Sequence, residues 1–442
     1  MLRYWPFLLP PLYLLLIFAL QPADRLGDPA APVGRLVYDD YDLTALVLRG
    51  LNAAHGRTPG HPHPDYVPGV VFRLLLEEKS ELEPNYFLEY PPPALLIFRL
   101  AWPDAPAHVP PAVLDGLHNS IVEHYPRTDA ERALWQRFRL AMRITQTLMM
   151  LSLLGLMAVL CVGYEPDAGL TGPVWLLVLP GALYFALNRF DVLPALLTAL
   201  SFCCLGRQRI AASAAFLALG VLVKVYPVLL APLVARYLLD RPRAVLTWIA
   251  VFGGVLLAGL LPPFLVWGWD ATWSPIRFQM TRHLEMGWTV YGVILPTSWG
   301  HPTLWGRCLR LGSVVLVGLL LVWRRPHDLA DLLGRSAVVL VVFVALQVFY
   351  SPQWILWLTP LLAPLCRNRP AVLGLTVALD LLTFTSFPLI YDLPGLSGEA
   401  AVRDVLRVVL VWGRVLLLTL LAGVLLWRIS AKPPATSALL AG

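Results

Sequence analysis

The chain has 442 residues, of which 58% are hydrophobic and 14% charged, and its mean hydropathy is +0.67. Soluble domains run at about 45–50% apolar and about 25% charged, so a soluble enzyme, a disordered tail and a nucleic-acid binder are excluded. The formal net charge of +6 forms no basic stripe. Lys and Arg sit at the ends of apolar runs, where membrane topology accounts for them better than an acidic partner does.

A bilayer core of about 30 Å takes roughly 20 apolar residues per helix. The first run, within 1–20, reads as a membrane anchor rather than a signal peptide, because no small-residue cleavage site stands out before Asp24. Residues 21–103 follow as an extracytoplasmic loop, and 104–139 as a polar stretch whose side the sequence leaves open. Apolar runs near 140–163, 173–187, 190–205, 210–223, 226–239 and 244–267 make a first bundle over 140–267. Residues 268–304 read as a second extracytoplasmic loop. Runs near 305–323, 335–349, 353–366, 371–391 and 405–427 make a second bundle over 305–428, and 429–442 is a cytoplasmic tail. Several runs are short and abut one another, which suggests broken or hairpin helices. Segment 91–102 either spans or re-enters. The 40 prolines, about twice average usage, suit a polytopic chain whose helices break around a cavity. The predicted fold class is an all-α polytopic membrane protein with about 11–13 membrane helices and a large first extracytoplasmic loop.

Basic turns orient the carboxyl half: Arg207 and Arg209, then Arg236, Arg241 and Arg243, then Arg324 and Arg325, then Arg367 and Arg369, then Arg428 and Lys432. They alternate with turns poor in basic residues, which puts Lys224, 268–304, Tyr350–Trp354 and 392–404 outside. The five cysteines show no metal-type spacing and imply no disulfide framework.

Several polar clusters interrupt the apolar pattern. Asp39, Asp40 and Asp42 fall within four residues of one another. Such a cluster can act as a general base or hold a divalent cation, and it equally suits an acidic helix start. Glu89 and Tyr90 precede three prolines, which fix them at the mouth of an apolar segment. Asn188-Arg189-Phe190-Asp191 lies between two runs and reads as an interfacial ion pair or as a cavity-facing cluster. Lys224, in Lys224-Val225-Tyr226-Pro227, ends an uncharged run. A cation there costs free energy unless it snorkels or meets an anion such as a lipid phosphate. The late loop mixes Trp267, Trp269 and Trp273 with Arg282, His283 and Glu285. That composition suits an interfacial aromatic belt or a site for a sugar and a phosphate, whose oxygens Arg grips in two-point fashion. Ser351-Pro352-Gln353-Trp354 is a further outer-side break.

In this order the motifs resemble those of polyprenyl-phosphate-sugar-dependent glycosyltransferases of the GT-C superfamily, close to glycosyltransferase family 87. The matching residues are Asp42 or Asp40, Gly56-x-x-Pro59, Glu89-Tyr90-Pro91-Pro92, Asn188 to Asp191, Lys224-x-Tyr226-Pro227, Arg282-x-x-Glu285 and Ser351 to Trp354. The resemblance covers about residues 38–366. Leu46 stands where members often carry an aromatic, and the segments 59–89 and 103–139 are long. The resemblance implies a GT-C-like bundle, a polyprenyl-phosphate sugar as donor and a glycolipid or glycan as acceptor. It implies a loop Asp as base, cations on the leaving phosphate and inversion at the anomeric carbon. The sugar is mannosyl before other hexosyl or pentosyl units. No cofactor is required, although the Asp cluster allows a divalent cation. The expected partners are the bilayer, the lipid donor and the acceptor, with no nucleic acid. The rival readings are a transporter or flippase of lipid-linked sugars, another transferase or ligase acting on lipid-linked glycans, and a scaffold subunit.

Overall fold

The structure, a computed structural model, describes residues 5–20, 90–101, 129–165, 170–281, 289, 304–347, 349–367, 369–390 and 400–431. Every regular element among them is helical. After a 3₁₀ turn at Trp5–Leu8 come α1 (Leu9–Leu20) and α2 (Pro92–Leu100). Then come α3 (Asp129–Val162), a 3₁₀ turn at Val174–Val178, α4 (Pro180–Asn188), α5 (Val192–Gly206) and α6 (Ile210–Val223). A 3₁₀ turn at Tyr226–Leu230 leads into α7 (Ala231–Tyr237), α8 (Pro242–Thr281), α9 (Leu304–Val322) and α10 (Leu329–Ala345). The last elements are a 3₁₀ turn at Pro352–Trp354, α11 (Ile355–Cys366), α12 (Pro370–Phe384, continued by a wider turn to Ile390) and α13 (Ala400–Ala431).

Four stretches are long and apolar enough to cross a membrane: Gln136–Val162, Pro242–Val266, Pro370–Pro388 and Asp404–Trp427. The α4–α5 pair, bent by 109°, makes a fifth if it is taken as one span; such a pair is a broken span or a re-entrant loop. This is an all-α membrane-type chain. The adjacent runs at 173–187 and 190–205 meet at this sharp bend, as expected of broken or hairpin helices. Helices of nine to fifteen residues, such as α2, α4, α5, α6 and α11, are about 14–23 Å long and too short to cross alone. Residues 92–100 are among them, so α2 does not span by itself. Two polar stretches begin or end as helix: α3 starts at Asp129, inside the stretch 104–139, and 269–281 continues α8 past a break at Gly268 (φ 80°). Glycine takes that left-handed geometry without strain. The expected loop at 268–304 thus starts as helix; most of the rest of it lies outside the described residues.

Helix α11 is the axis of the bundle. All twelve of its residues are buried, because its sequence is apolar on every face. It touches α4, α5, α10 and α12. At the other extreme, only 6% of the apolar window of α8 is buried, against 44% for that of α3. Leu246, Leu257, Leu265 and Val266 all point outward, as a lipid-facing helix requires.

Inside such a bundle each polar group needs an internal partner. Pro364 has no N–H to give the Pro360 carbonyl four residues back, and the buried Tyr164 hydroxyl donates to that oxygen instead, at 2.8 Å. The N-terminus of α4 lies against α12, where the Gly181 and Ala182 N–H groups donate to the two carboxylate oxygens of Asp380, at 2.9 and 2.7 Å. A Cβ on Gly181 would meet the Asp380 carbonyl at 2.8 Å. Arg335 pairs with Asp331 at 3.0 Å, both buried. Hydroxyls of Thr145, Ser152, Thr198, Thr376 and Thr383 donate to the carbonyl four residues back.

The basic turns meet at one end. Arg207 donates to the Tyr164 carbonyl, Arg241 to Gln208, Arg236 to the Trp323 carbonyl, Arg325 to the Tyr237 carbonyl and Arg367 to Thr171. Arg325 also pairs with Asp240 and holds that exposed carboxyl below the usual range. Helices α5, α6 and α11 run between this belt and the opposite pole, so Asp191, Lys224 and Trp354 lie far from it.

The Asp380 cap gives a direct test. Asp380→Ala leaves two N–H groups without acceptors, and each costs about 1–3 kcal/mol. We expect a clear drop in the thermal midpoint in detergent, a smaller drop for Asp380→Asn, and a drop for Gly181→Ala from its clash. An unchanged midpoint in Asp380→Ala removes the cap from the supports of the fold.

Candidate functional site

At the pole away from the basic belt, three helix breaks converge. Helix α4 ends at Asn188, and Arg189 turns to extended backbone (φ −136°, ψ 164°). Asp191 then opens α5. Helix α6 ends at Val223, and Lys224 is likewise extended (φ −154°, ψ 131°). The tight turn through Gln208, itself in left-handed geometry (φ 56°), folds α5 and α6 back on each other. The N-terminus of α5 therefore meets the C-terminus of α6. A carboxylate at the first and an ammonium at the second each complement their helix dipole.

Asp191 and Lys224 form an ion pair at 2.6 Å between Oδ1 and Nζ, with the side chains 1% and 12% exposed. The same oxygen accepts from the Trp357 indole N–H, also at 2.6 Å. Asp191 Oδ2 is buried with no hydrogen-bond partner among the described residues. Rings surround the ammonium: its nitrogen lies 5.1 Å from the Tyr90 centroid, 5.0 Å from Phe190 and 5.3 Å from Trp357. Each such contact contributes on the order of 0.5–2 kcal/mol, more where water is excluded. The rings brace one another. Tyr90 stands edge-on to Phe190 at 4.6 Å, Tyr226 stacks on Trp357 at 4.1 Å, and Trp354 leans on Trp357 at 5.1 Å. The Tyr226 hydroxyl lies 3.5 Å from Thr198 Oγ1.

The sequence motifs around Tyr90, Asn188–Asp191, Lys224–Tyr226 and Ser351–Trp354 thus meet in one cluster. Asn188 is buried beside it and donates to the Tyr184 carbonyl at 3.0 Å. Two readings change. Asp191 takes its cation from Lys224, 33 positions on, rather than from Arg189 two positions back, because the bend turns its carboxylate towards α6. Lys224, expected to snorkel or to meet a lipid phosphate, has a protein carboxylate as its partner. Asp39, Asp40, Asp42, Glu89, Arg282, His283 and Glu285 lie outside the described residues. Among the described residues no group of three His, Cys, Asp or Glu side chains converges as a metal site.

Sequence reasoning missed Trp357 and Phe190 as members of the cluster. The indole was legible in principle: a Trp inside an apolar run needs an acceptor for its N–H. Phe190 carried no such signal. Chemically, the cluster offers a fixed cation, a carboxylate oxygen with unused accepting capacity and a wall of aromatic faces.

No family model matches the chain, and no curated protein matches it.

Removing one member of the pair strands the other charge in a nearly dry site, at a cost of about 3–5 kcal/mol when burial is complete. The residual exposure of Lys224 softens this for Asp191→Ala. We expect thermal unfolding to show large losses for Asp191→Ala and Lys224→Met alone, and a loss for the double variant well below their sum. Additive losses would mean that the two side chains are not coupled.

Proposed function

We propose that this chain is an integral-membrane glycosyltransferase of GT-C type. It moves a hexosyl or pentosyl unit, mannosyl first among them, from a polyprenyl-phosphate sugar to a glycolipid or glycan acceptor. The observation that supports this reading is the convergence of the four motifs on one cluster at the pole opposite the basic belt. If basic turns face the cytoplasm, that cluster faces the outside of a cell membrane, where the head of a lipid-linked sugar is presented. In this reading the short helices complete a bundle of about 11–13 membrane segments, and the first outer loop supplies the base.

The reaction needs little machinery. A loop carboxylate, Asp42 or its neighbour Asp39 or Asp40, takes the proton from the acceptor hydroxyl. That oxygen attacks the anomeric carbon and forms the new C–O bond. The bond from that carbon to the phosphate oxygen breaks, the polyprenyl phosphate leaves with the electron pair, and the configuration inverts. Positive charge stabilises the leaving phosphate. Lys224 contributes it only in competition with Asp191, so donor arrival and opening of the ion pair are coupled. Tyr90 packs against the cluster, Glu89 precedes it in the sequence, and Arg282, His283 and Glu285 belong in this reading to the second outer loop.

The test is a transfer assay on the purified chain in lipid, with a panel of radiolabelled polyprenyl-phosphate sugars and a membrane extract as acceptor. Label is expected to move from one donor and to be lost in the Asp39/Asp40/Asp42 triple Asn variant. Label that only changes leaflet, equally in both proteins, would favour a transporter of lipid-linked sugars instead. Within an active preparation, Lys224→Ala should raise the donor KM at least about tenfold and the acceptor KM much less. Unchanged donor kinetics would remove Lys224 from phosphate binding.

A further inference from the structure

Lys224 and Arg335 are each held by a carboxylate. Arg143 is not. It is half-buried on α3, inside the membrane-length stretch Gln136–Val162. Among the described residues no carboxylate pairs with it, and its buried Nε has no hydrogen-bond partner. One contact holds the side chain: the guanidinium carbon lies 5.1 Å from the centroid of the Phe18 ring in α1. A cation within a membrane stretch costs free energy unless it meets an anion, and here the protein supplies none.

The depth of Arg143 indicates where the anion comes from. Helix α3 runs on from Arg143 to Val162, which is about 28 Å at the rise of an α-helix. That far end lies in the basic belt, where Arg207 donates to the Tyr164 carbonyl. A bilayer core is about 30 Å thick, so with the belt at one face Arg143 stands at headgroup depth on the other. Between the two levels the flank is apolar: Leu8, Leu12 and Leu15 of α1 and Leu151 of α3 are exposed.

We propose that Arg143 and Phe18 form a headgroup site between α1 and α3, in which the guanidinium takes the phosphate of a membrane phospholipid. The ring covers one face of the guanidinium, and the planar fork grips two phosphate oxygens at its edge. The acyl chains lie along the exposed leucines, which is why the occupant is a lipid and not a soluble anion. The inference does not rest on the transferase reading.

The experiment is native mass spectrometry of the full chain from a maltoside detergent, titrated with phosphatidylglycerol, with diacylglycerol of the same acyl chains and with inorganic phosphate. Headgroups bound at the belt are common to every variant, so the difference between variants is what counts. Wild type is expected to hold one phosphatidylglycerol more than Arg143→Met, at an affinity at least about tenfold above that for diacylglycerol. Arg143→Lys, which keeps the charge but not the fork, should keep part of this affinity. Phe18→Leu should weaken it about threefold, because the ring is lost and the guanidinium stays. Thermal midpoints establish that each variant is folded. Equal lipid number and affinity in folded Arg143→Met overturns the site, and so does diacylglycerol binding there as tightly as phosphatidylglycerol. If Arg143→Met does not fold, unchanged binding in both Arg143→Lys and Phe18→Leu overturns it. Displacement of that one lipid by inorganic phosphate would make the occupant a soluble anion and overturn the lipid assignment.

Discussion

One oxygen of one carboxylate organises the pole of this bundle that lies opposite the basic belt. Asp191 Oδ1 accepts from both Lys224 and Trp357 at 2.6 Å, and those three residues belong to the start of α5, the end of α6 and the first turn of α11. A buried charge is tolerated only if it is paired and hydrogen-bonded, so three helix ends are held to one geometry. The aromatic rings then follow, because Tyr90, Phe190 and Trp357 surround the cation that the carboxylate fixes. Tyr90 brings α2 into the cluster, although α2 stands far from α11 in the sequence. A site built at helix breaks has a further property. Extended backbone at Arg189 and Lys224 is permitted at this depth only where protein surrounds it, and the cluster provides that cover.

The same requirement explains the polar groups elsewhere in the bundle. Asp380 reaches from α12 to the N-terminus of α4, which begins inside the apolar layer and has no residues of its own to cap it. Tyr164 supplies the hydrogen bond that Pro364 withholds. Asp331 pairs with Arg335 one turn along the same helix. Short helices, prolines and buried charges go together here. Each break frees backbone groups, and each freed group needs a partner from a neighbouring helix.

Two buried cations of the bundle are held in different ways. The Lys224–Asp191 pair is internally compensated, and a ligand reaches its cation only by displacing a carboxylate. Arg414 instead lies over the Tyr350 ring, 3.4 Å from the centroid.

Composition and the spacing of apolar runs determined that the chain is helical and membrane-embedded, because burying a helix in lipid takes a run of apolar side chains that is visible one residue at a time. The basic turns determined which helix ends share a pole, since alternation along the chain survives folding. The polar breaks at Asn188–Asp191, Lys224–Tyr226 and Ser351–Trp354 were legible as breaks for the same reason: polar residues and prolines interrupt such runs. What joins them was not legible. Whether Asp191 pairs with Arg189 or with Lys224 depends on a bend of 109° between α4 and α5, and bends are set by packing against neighbours. Asp380 and Arg414 lie in apolar runs whose overall character they do not change, so periodicity gave no sign of them. Their partners, Gly181 and Tyr350, lie 199 and 64 positions away, and only the tertiary structure brings such distant groups to hydrogen-bonding and stacking distance.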